Sequence, residues 1–363
     1  MRPALRPGRT CLLAQAVLWA ALNVAHADSG STGFIEDVHF SDYSPLSTNS
    51  ELLRRMTSPL TGRQVQATLS RSSQRLIEQS IDLAAEKFVL YVPPVPPPHG
   101  YGVLVFVPPW QEARLPDGWS TVLDHYGVIY VSAARSGNQE SAVGRREPLA
   151  LLEAHNVILR YPVDPSRVYV GGFSGGARIA LRLALGFPEL FNGVLLNAGS
   201  DPLGTLVPPL PPADLWRRFQ ESTRLVYVTG ERDMVHLGMD VASLHSMRQW
   251  CVFNTDSQVI PGAEHETPRS AAFSAALQAL LAPPGRSSKL PACQAGIDRE
   301  LSAQLQKVQS LIAHGDAGAA QKLLLEIDRR FGGLAAPRSL ELQALLSPAG
   351  SEGKAGQPPA APQ

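Results

Sequence analysis

The sequence predicts an α/β protein in which helices cover both faces of a mostly parallel central sheet. Two apolar runs, Gly102–Val107 and Gly127–Ser132, are continuous rather than alternating, as is typical of parallel strands buried on both faces. Later segments alternate between short apolar runs and stretches with apolar residues at helical spacing. This alternation of strand and helix indicates a mostly parallel sheet covered on both sides.

The composition suits one sizeable folded domain. A length of 363 residues allows one large α/β domain with small additions, and 44% hydrophobic residues against 18% charged residues allow a buried core. Basic and acidic residues are balanced at 32 each, so nothing indicates a nucleic-acid or polyanionic partner.

The first residues have the features of a secretory signal peptide. Three arginines without an acidic residue precede the apolar run Cys11–Val24, and Ala25-His26-Ala27 supplies the small residues of a cleavage site. An uncleaved membrane anchor is the alternative, although this run is short for a span of about 20 residues. Cleavage would give an exported protein, periplasmic or secreted, without stable membrane insertion.

Two cysteines, Cys251 and Cys293, would remain after cleavage. In an oxidising compartment they could form one disulfide, and two buried free thiols are the alternative. Cys251 ends a predicted helix and Cys293 lies in a predicted linker, so pairing would join that linker to the main domain.

Shifts in composition divide the chain into parts. Gln64–Leu69 and Arg75–Ala84 resemble edge strands, whereas Pro93–His99 is too proline-rich for a sheet interior. From Ile297 onwards apolar residues recur at helical spacing, and Gly315-Asp316 separates two predicted helices, so we expect a helical hairpin packed on the main domain. The expected parts are a signal peptide (1–27), an N-terminal arm (28–62), the α/β domain (63–282), a linker (283–295), a helical hairpin extension (296–346) and a disordered tail (347–363).

A G-x-S-x-G sequence, from Gly172 to Gly176, follows the predicted strand Arg167–Gly171 and runs into the predicted helix Gly175–Leu185. In this setting the central Ser174 is expected to lie on a sharp turn, with its oxygen projecting beyond the sheet. The start of the helix would favour negative charge that develops nearby. These features indicate a nucleophilic serine, and a structural glycine-rich turn is the alternative.

A serine hydroxyl becomes a good nucleophile only when a base takes its proton. Asp233, which follows the predicted strand Arg224–Thr229, is the expected acid, with Glu231 and Asp240 as rivals. His265 follows the last predicted strand and is the expected base.

Two other histidines, His236 and His245, also follow the acid. They precede the last predicted strand, in a predicted loop and a predicted helix, so they fit the role of base less well. The cysteines and histidines lack metal-ligand spacing, and the sequence implies neither a metal nor an organic cofactor.

From Lys87 to Leu281 the chain resembles the α/β-hydrolase superfamily, and within it the polyhydroxybutyrate depolymerase and feruloyl esterase-like group. The residues that carry the resemblance are Tyr91–Pro94, Arg167–Gly176, Phe187–Gly199, Gly230–Asp233 and Gly262–His265. The resemblance implies the α/β-hydrolase fold and a serine esterase acting on a small or polymeric ester through an acyl-enzyme. It also implies a catalytic triad of Ser174, Asp233 and His265.

The chain departs from this group after the strand Gly102–Val107. Enzymes of the group usually carry His-Gly there, whereas this chain reads Pro108-Pro109-Trp110. Because proline has no N–H to donate, the expected oxyanion donors are the backbone N–H groups of Trp110 and Gly175. The loop Ala133–Arg146, which contains three arginines, could bind an acidic or hydroxyl-bearing substrate or be simply solvated.

The sequence therefore predicts an exported serine carboxyl-ester hydrolase. A peptidase or an acyltransferase of the same fold is an alternative among enzymes. A catalytically inactive hydrolase-fold binding protein is the alternative outside them. The presence of two prolines in place of His-Gly favours the hypothesis of an inactive binding protein, whereas the intact order of serine, acid and histidine argues against it.

Overall fold

The computed structural model describes residues 31–204, 209–285 and 287–346, so the expected signal peptide and tail lie outside the described residues. The described part contains one sheet of eight strands. In chain order, β1 to β8 are Gly33–Val38, Phe88–Val92, Tyr101–Val107, Val128–Ala133, Val163–Phe173, Gly193–Asn197, Arg224–Gly230 and Thr255–Ile260.

The strands lie in the order β1-β2-β4-β3-β5-β6-β7-β8. Strand β2 pairs antiparallel with β1 and β4, whereas all pairs from β4 to β8 are parallel. This topology is that of the α/β-hydrolase fold, so the predicted fold class is confirmed.

Helices cover both faces of this sheet. In chain order, α1 to α11 are Asn49–Met56, Pro59–Arg71, Trp119–Tyr126, Glu147–Arg160, Gly175–Gly186, Ala213–Ser222, Met234–Gln249, Ser270–Leu281, Leu290–Ala313, Ala317–Phe331 and Arg338–Leu346. Helices α3 and α8 pack on one face, where the rings of Trp119 and Phe273 stack with centroids 3.7 Å apart. Helices α4 and α5 pack on the other face.

The continuous apolar strands are explained by these two cores. Along β3, Val103 and Val105 point into the core under α4 and α5, whereas Leu104 and Phe106 point into the core under α3 and α8. Because neighbouring strands from β4 to β8 are parallel, their carboxyl ends meet at one edge of the sheet. The segments that leave these ends carry the candidate site.

The N-terminal segment differs from its expected form. Residues 28–62, expected as an extended arm, contain β1, α1 and the start of α2. Gln64–Leu69, predicted as a strand, lies within α2, and Arg75–Ala84 forms no strand but runs into a short 3-10 helix, Leu83–Ala85, so both strand predictions are wrong. The side chain of Ser58 caps α2 and Pro59 occupies its first turn, so helix-start signals outweigh the alternation of polar and apolar residues.

The C-terminal segment also differs in its boundaries. Helix α9 begins at Leu290, within the expected linker. Pro291 does not prevent this start, because proline is tolerated in the first turn of a helix. The described extension holds α9, α10 and α11 rather than a simple hairpin. Asp328 of α10 accepts hydrogen bonds from the Ser58 hydroxyl and the Leu60 N–H, which join the extension to the start of α2. The division of the chain into functional domains stays a prediction.

Cys251 and Cys293 form a disulfide, with their Cα atoms 5.7 Å apart. Cys251 lies two residues after the end of α7, and Cys293 lies in the first turns of α9. The bond therefore ties the helical extension to the sheet domain, close to the start of β8.

Candidate active site

Ser174 forms the sharp turn between β5 and α5. Its backbone is in an unusual region, with φ 55° and ψ −122°, and its N–H donates to Asn197 O of the next strand at 2.8 Å. A Cβ on Gly176 would lie 1.9 Å from Val107 O, and one on Gly172 would lie 2.4 Å from the Gly176 carbonyl carbon. Both flanking glycines are thus required by close backbone contacts, as the motif predicts.

The structure brings Ser174, His265 and Asp233 together. Nε2 of His265 lies 3.1 Å from the Ser174 hydroxyl oxygen, and Nδ1 of His265 lies 2.6 Å from Asp233 Oδ2. Since a carboxylate can only accept, we assign the proton of neutral His265 to Nδ1, which leaves Nε2 as the acceptor for the serine proton. This is the hydrogen-bonding order of a catalytic triad.

Asp233 is fixed by its place at the start of α7. Its side chain accepts from the His236 backbone N–H at 3.4 Å as the N-cap of that helix. Burial alone would raise the pKa of Asp233, but hydrogen bonds from His236 and His265 hold it below its ordinary value. The carboxyl group is therefore an acceptor for both imidazoles at neutral pH.

The two rival acids serve other contacts. Glu231 Oε2 accepts from the Gly262 N–H at 2.8 Å, bracing the loop that carries His265. Asp240 is buried and accepts from the Ser200 and Thr229 hydroxyls at 2.6 Å each. Burial raises the pKa of Asp240 despite these hydrogen bonds.

His236 also belongs to the site, in a role that the sequence pattern does not indicate. It lies within α7 rather than in the loop expected for it, because α7 begins at Met234. Its Nδ1 lies 2.8 Å from Asp233 Oδ1, and its ring stacks on that of His265 with centroids 4.2 Å apart. The contact could have been predicted from the spacing, because a residue three positions after a helix-capping aspartate lies close to the capping side chain.

Aromatic rings line the other side of the site. The Phe173 ring lies 4.7 Å from that of His265, and the Trp110 ring lies 6.1 Å from that of Phe173. The Arg114 guanidinium carbon lies 4.0 Å from the centre of the Trp110 ring. Indole Nε1 of Trp110 is buried without a hydrogen-bond partner among the described residues. Trp110 is therefore placed beside the candidate site.

The Pro108–Trp110 segment is held by the loop that follows β4. Arg146, which is buried, donates from Nε to Ser136 O at 2.8 Å and from Nη2 to Pro108 O at 2.9 Å. The Asn138 N–H donates to Pro109 O at 3.0 Å. The Pro108–Trp110 segment thus has a defined path next to the start of α5, where Gly175 is the first helical residue.

The other two arginines of the Ala133–Arg146 loop are committed to ion pairs. Arg145 and Arg135 lie 2.6 Å and 3.0 Å, respectively, from Glu86 Oε2, which is buried. Both guanidinium groups thus have a partner within the protein.

One group of three side chains in the described ranges could hold a metal ion. The ligand atoms of Asp233, His236 and His265 lie within 4.8 Å of one another. In this arrangement Nδ1 of each histidine faces the aspartate, so the three side chains already satisfy one another by hydrogen bonds.

Among the described helices, none combines the length and apolar character needed to cross a bilayer.

Comparisons with known proteins give limited similarity. No family model matches the chain. A curated relative, the poly(3-hydroxybutyrate) depolymerase of Ralstonia pickettii, is 29% identical over 98 residues, which cover 23% of this chain and 20% of the relative. The matched region thus spans about a fifth of that relative, and the enzyme is of the kind that the sequence resembles.

Comparison with solved structures likewise gives low sequence identity. A ferulic acid esterase aligns at 16% identity with a TM-score of 0.41, covering 54% of this chain and 90% of the esterase. A poly(3-hydroxybutyrate) depolymerase from Bordetella parapertussis aligns at 17% identity with a TM-score of 0.41, covering 57% of this chain and 88% of the depolymerase.

Proposed function

We propose that this chain is a serine hydrolase that cleaves carboxylic esters through an acyl-enzyme. The observation that carries the proposal is the continuous line of hydrogen bonds from Ser174 through His265 to Asp233, built on a strained turn at the sheet edge. The same three residues are those that the sequence resemblance assigns.

In the proposed reaction, His265 Nε2 accepts the hydroxyl proton while the Ser174 oxygen attacks the ester carbonyl. Asp233 keeps the His265 ring oriented and stabilises its charged form. The backbone N–H groups of Gly175 and Trp110 receive the developing oxyanion. The imidazolium then protonates the leaving alcohol, and water attacks the acyl-enzyme with His265 as base in the second half.

A wide ester panel tests this activity. We expect measurable kcat/KM for aryl and alkyl esters of several acyl lengths, and a loss of about three powers of ten or more in kcat for Ser174→Ala. Ser70→Ala, which changes an exposed serine on α2, serves as the matched control. Absence of turnover of every ester by folded wild-type protein would favour the inactive binding protein, and turnover of peptides alone would favour the peptidase.

A polymeric ester is one form of this substrate. The name of the Ralstonia pickettii relative supports it, and so do the exposed apolar side chains of Met234 and Val235 beside Asp233 (73% and 71% exposed). Release of soluble acids from a suspended polyester, compared with turnover of a short soluble ester, distinguishes a depolymerase from an esterase for small substrates.

Export is part of the proposal. The disulfide between Cys251 and Cys293 supports it, because such bonds persist in oxidising compartments. N-terminal sequencing of protein from the native host should begin at or near Asp28. Intact Met1 on cytoplasmic protein would contradict export.

A further inference from the structure

The carboxylate of Asp233 is shared by two imidazoles. Nδ1 of His265 approaches Oδ2 at 2.6 Å, and Nδ1 of His236 approaches Oδ1 at 2.8 Å. Because the ionised carboxylate is an acceptor only, each histidine donates its Nδ1 proton to a different oxygen. Both oxygens of the acid are thereby committed, and rotation of the carboxylate would break two hydrogen bonds at once.

The His265 ring is also held on both faces. The His236 ring stacks on it nearly parallel, at 15° with centroids 4.2 Å apart, and the Phe173 ring is tilted by 35° with centroids 4.7 Å apart. The His265 side chain is 38% exposed, so few other contacts restrict it. These two rings are thus the main restraint on the orientation of His265 besides Asp233.

The start of α7 fixes His236 itself. It is the third residue of the helix, and its backbone N–H faces the carboxylate that its own side chain contacts. The side chain is 21% exposed, so most of its surface is covered by the protein. Asp233 and His236 are thus joined by two contacts within the first turn of one helix.

We propose that His236 is a positioning residue for the triad, which holds Asp233 Oδ2 on His265 and keeps the His265 ring facing Ser174. This role rests on the proposed function, because it matters only if His265 transfers the serine proton. His236 has no direct contact with the reacting atoms in this arrangement. Its two contributions, the Nδ1–H donor and the flat ring, are separable by substitution.

Removing both contributions should slow the chemical step rather than weaken binding. His236→Ala is expected to lower kcat by about 10- to 100-fold, with KM changed by about twofold or less. His236→Asn restores a donor, because its Nδ2 is attached at Cγ as Nδ1 is in histidine. His236→Phe restores the ring without the donor. Each is expected to recover part of the kcat lost in His236→Ala.

A spectroscopic readout separates positioning from general stability. The proton between His265 Nδ1 and Asp233 should give a distinct low-field proton NMR signal in the wild type. We expect this signal to broaden in His236→Ala and to return in His236→Asn. His245→Ala, an exposed histidine on the same helix, is the matched control and should change neither kcat nor the signal.

The outcomes are distinguishable. If His236→Ala retains wild-type kcat and an unchanged low-field signal while Ser174→Ala is inactive, His236 has no positioning role and the proposed function stands. A lower kcat that neither Asn nor Phe restores, with the signal unchanged, would also overturn the positioning role. Full turnover by Ser174→Ala would overturn the proposed function and this role together.

Discussion

Asp233 and His265 are separated by 32 residues in the chain, yet Asp233 Oδ2 and His265 Nδ1 lie 2.6 Å apart. Asp233 follows β7 and His265 follows β8, and these neighbouring parallel strands end at the same edge of the sheet. The contact is therefore a direct consequence of the topology, and it identifies which of several acids serves the histidine.

The acid assignment is tested by two matched substitutions. Asp233→Asn should lower kcat by about 10³- to 10⁴-fold, because the amide no longer holds His265 in the required tautomer. Glu231→Gln removes a charge from the same loop and should leave kcat within a few-fold of wild type. Steady-state kinetics on an activated ester gives both values. The reverse ranking would show that Glu231, and not Asp233, is the acid.

Arg146 is expected to support turnover from outside the triad. Its guanidinium joins Pro108 O to Ser136 O, and burial lowers its pKa to about 10, so it remains cationic at neutral pH. In Arg146→Lys the single ammonium group cannot contact both carbonyl oxygens. The segment that carries the Trp110 backbone N–H should therefore shift away from the oxyanion, and kcat should fall by about tenfold. The kinetics are compared with Arg145→Lys, which alters the ion pair with Glu86 nearby.

The comparison of these two variants decides the role of Arg146. Arg145→Lys should reduce thermal stability with little effect on kcat. Equal kcat in wild type and Arg146→Lys would mean that the Pro108–Trp110 segment is not part of the active site.

Glu153 makes stability depend on pH. It is 2% exposed, and burial raises its pKa well above the ordinary value, with partial compensation by a hydrogen bond that the Ala133 backbone N–H donates to the carboxyl group. The folded protein therefore binds this proton more tightly than the unfolded chain. The free energy of unfolding should fall by about 1.4 kcal/mol per pH unit as pH rises from the ordinary glutamate pKa towards the raised one.

Glu153→Gln isolates this effect. The variant is expected to be more stable than wild type at neutral and alkaline pH, with the difference vanishing in acid. Denaturant unfolding at a series of pH values measures it. A difference that stays constant with pH would show that Glu153 does not hold a proton in the folded state.

The disulfide should stabilise the fold without affecting chemistry. Closing a loop of 42 residues between Cys251 and Cys293 contributes roughly 3–4 kcal/mol through the unfolded chain. Reductant or Cys293→Ser should lower the melting temperature, and reductant should have no further effect on that variant. Alkylatable thiols at both positions in protein from the native host would contradict the bond.

The central features of the site were predictable because they depend on local sequence. Ser174 lies in a motif whose glycines are required by backbone contacts within a few ångströms, and the strands before Asp233 and His265 are apolar enough to recognise. The position of each residue after its strand then follows from parallel topology.

Other features depend on packing that the sequence pattern does not show. The first turns of α7 expose Met234 and Val235 instead of presenting an apolar stripe, so the sequence pattern does not indicate a helix there. His236 was therefore assigned to a loop, and its contact with Asp233 was missed. Helix α2 was mistaken for a strand for the related reason that its polar and apolar residues alternate locally.

Labelling with a fluorophosphonate probe tests the central claim most directly, because the probe reacts with serines activated by a neighbouring base. The labelled wild-type protein is digested and the modified peptide is identified by mass spectrometry. The account predicts a single adduct on Ser174 that is lost in Ser174→Ala and greatly slowed in His265→Ala. A folded wild-type protein that remains unlabelled, or is labelled on another serine, would contradict it.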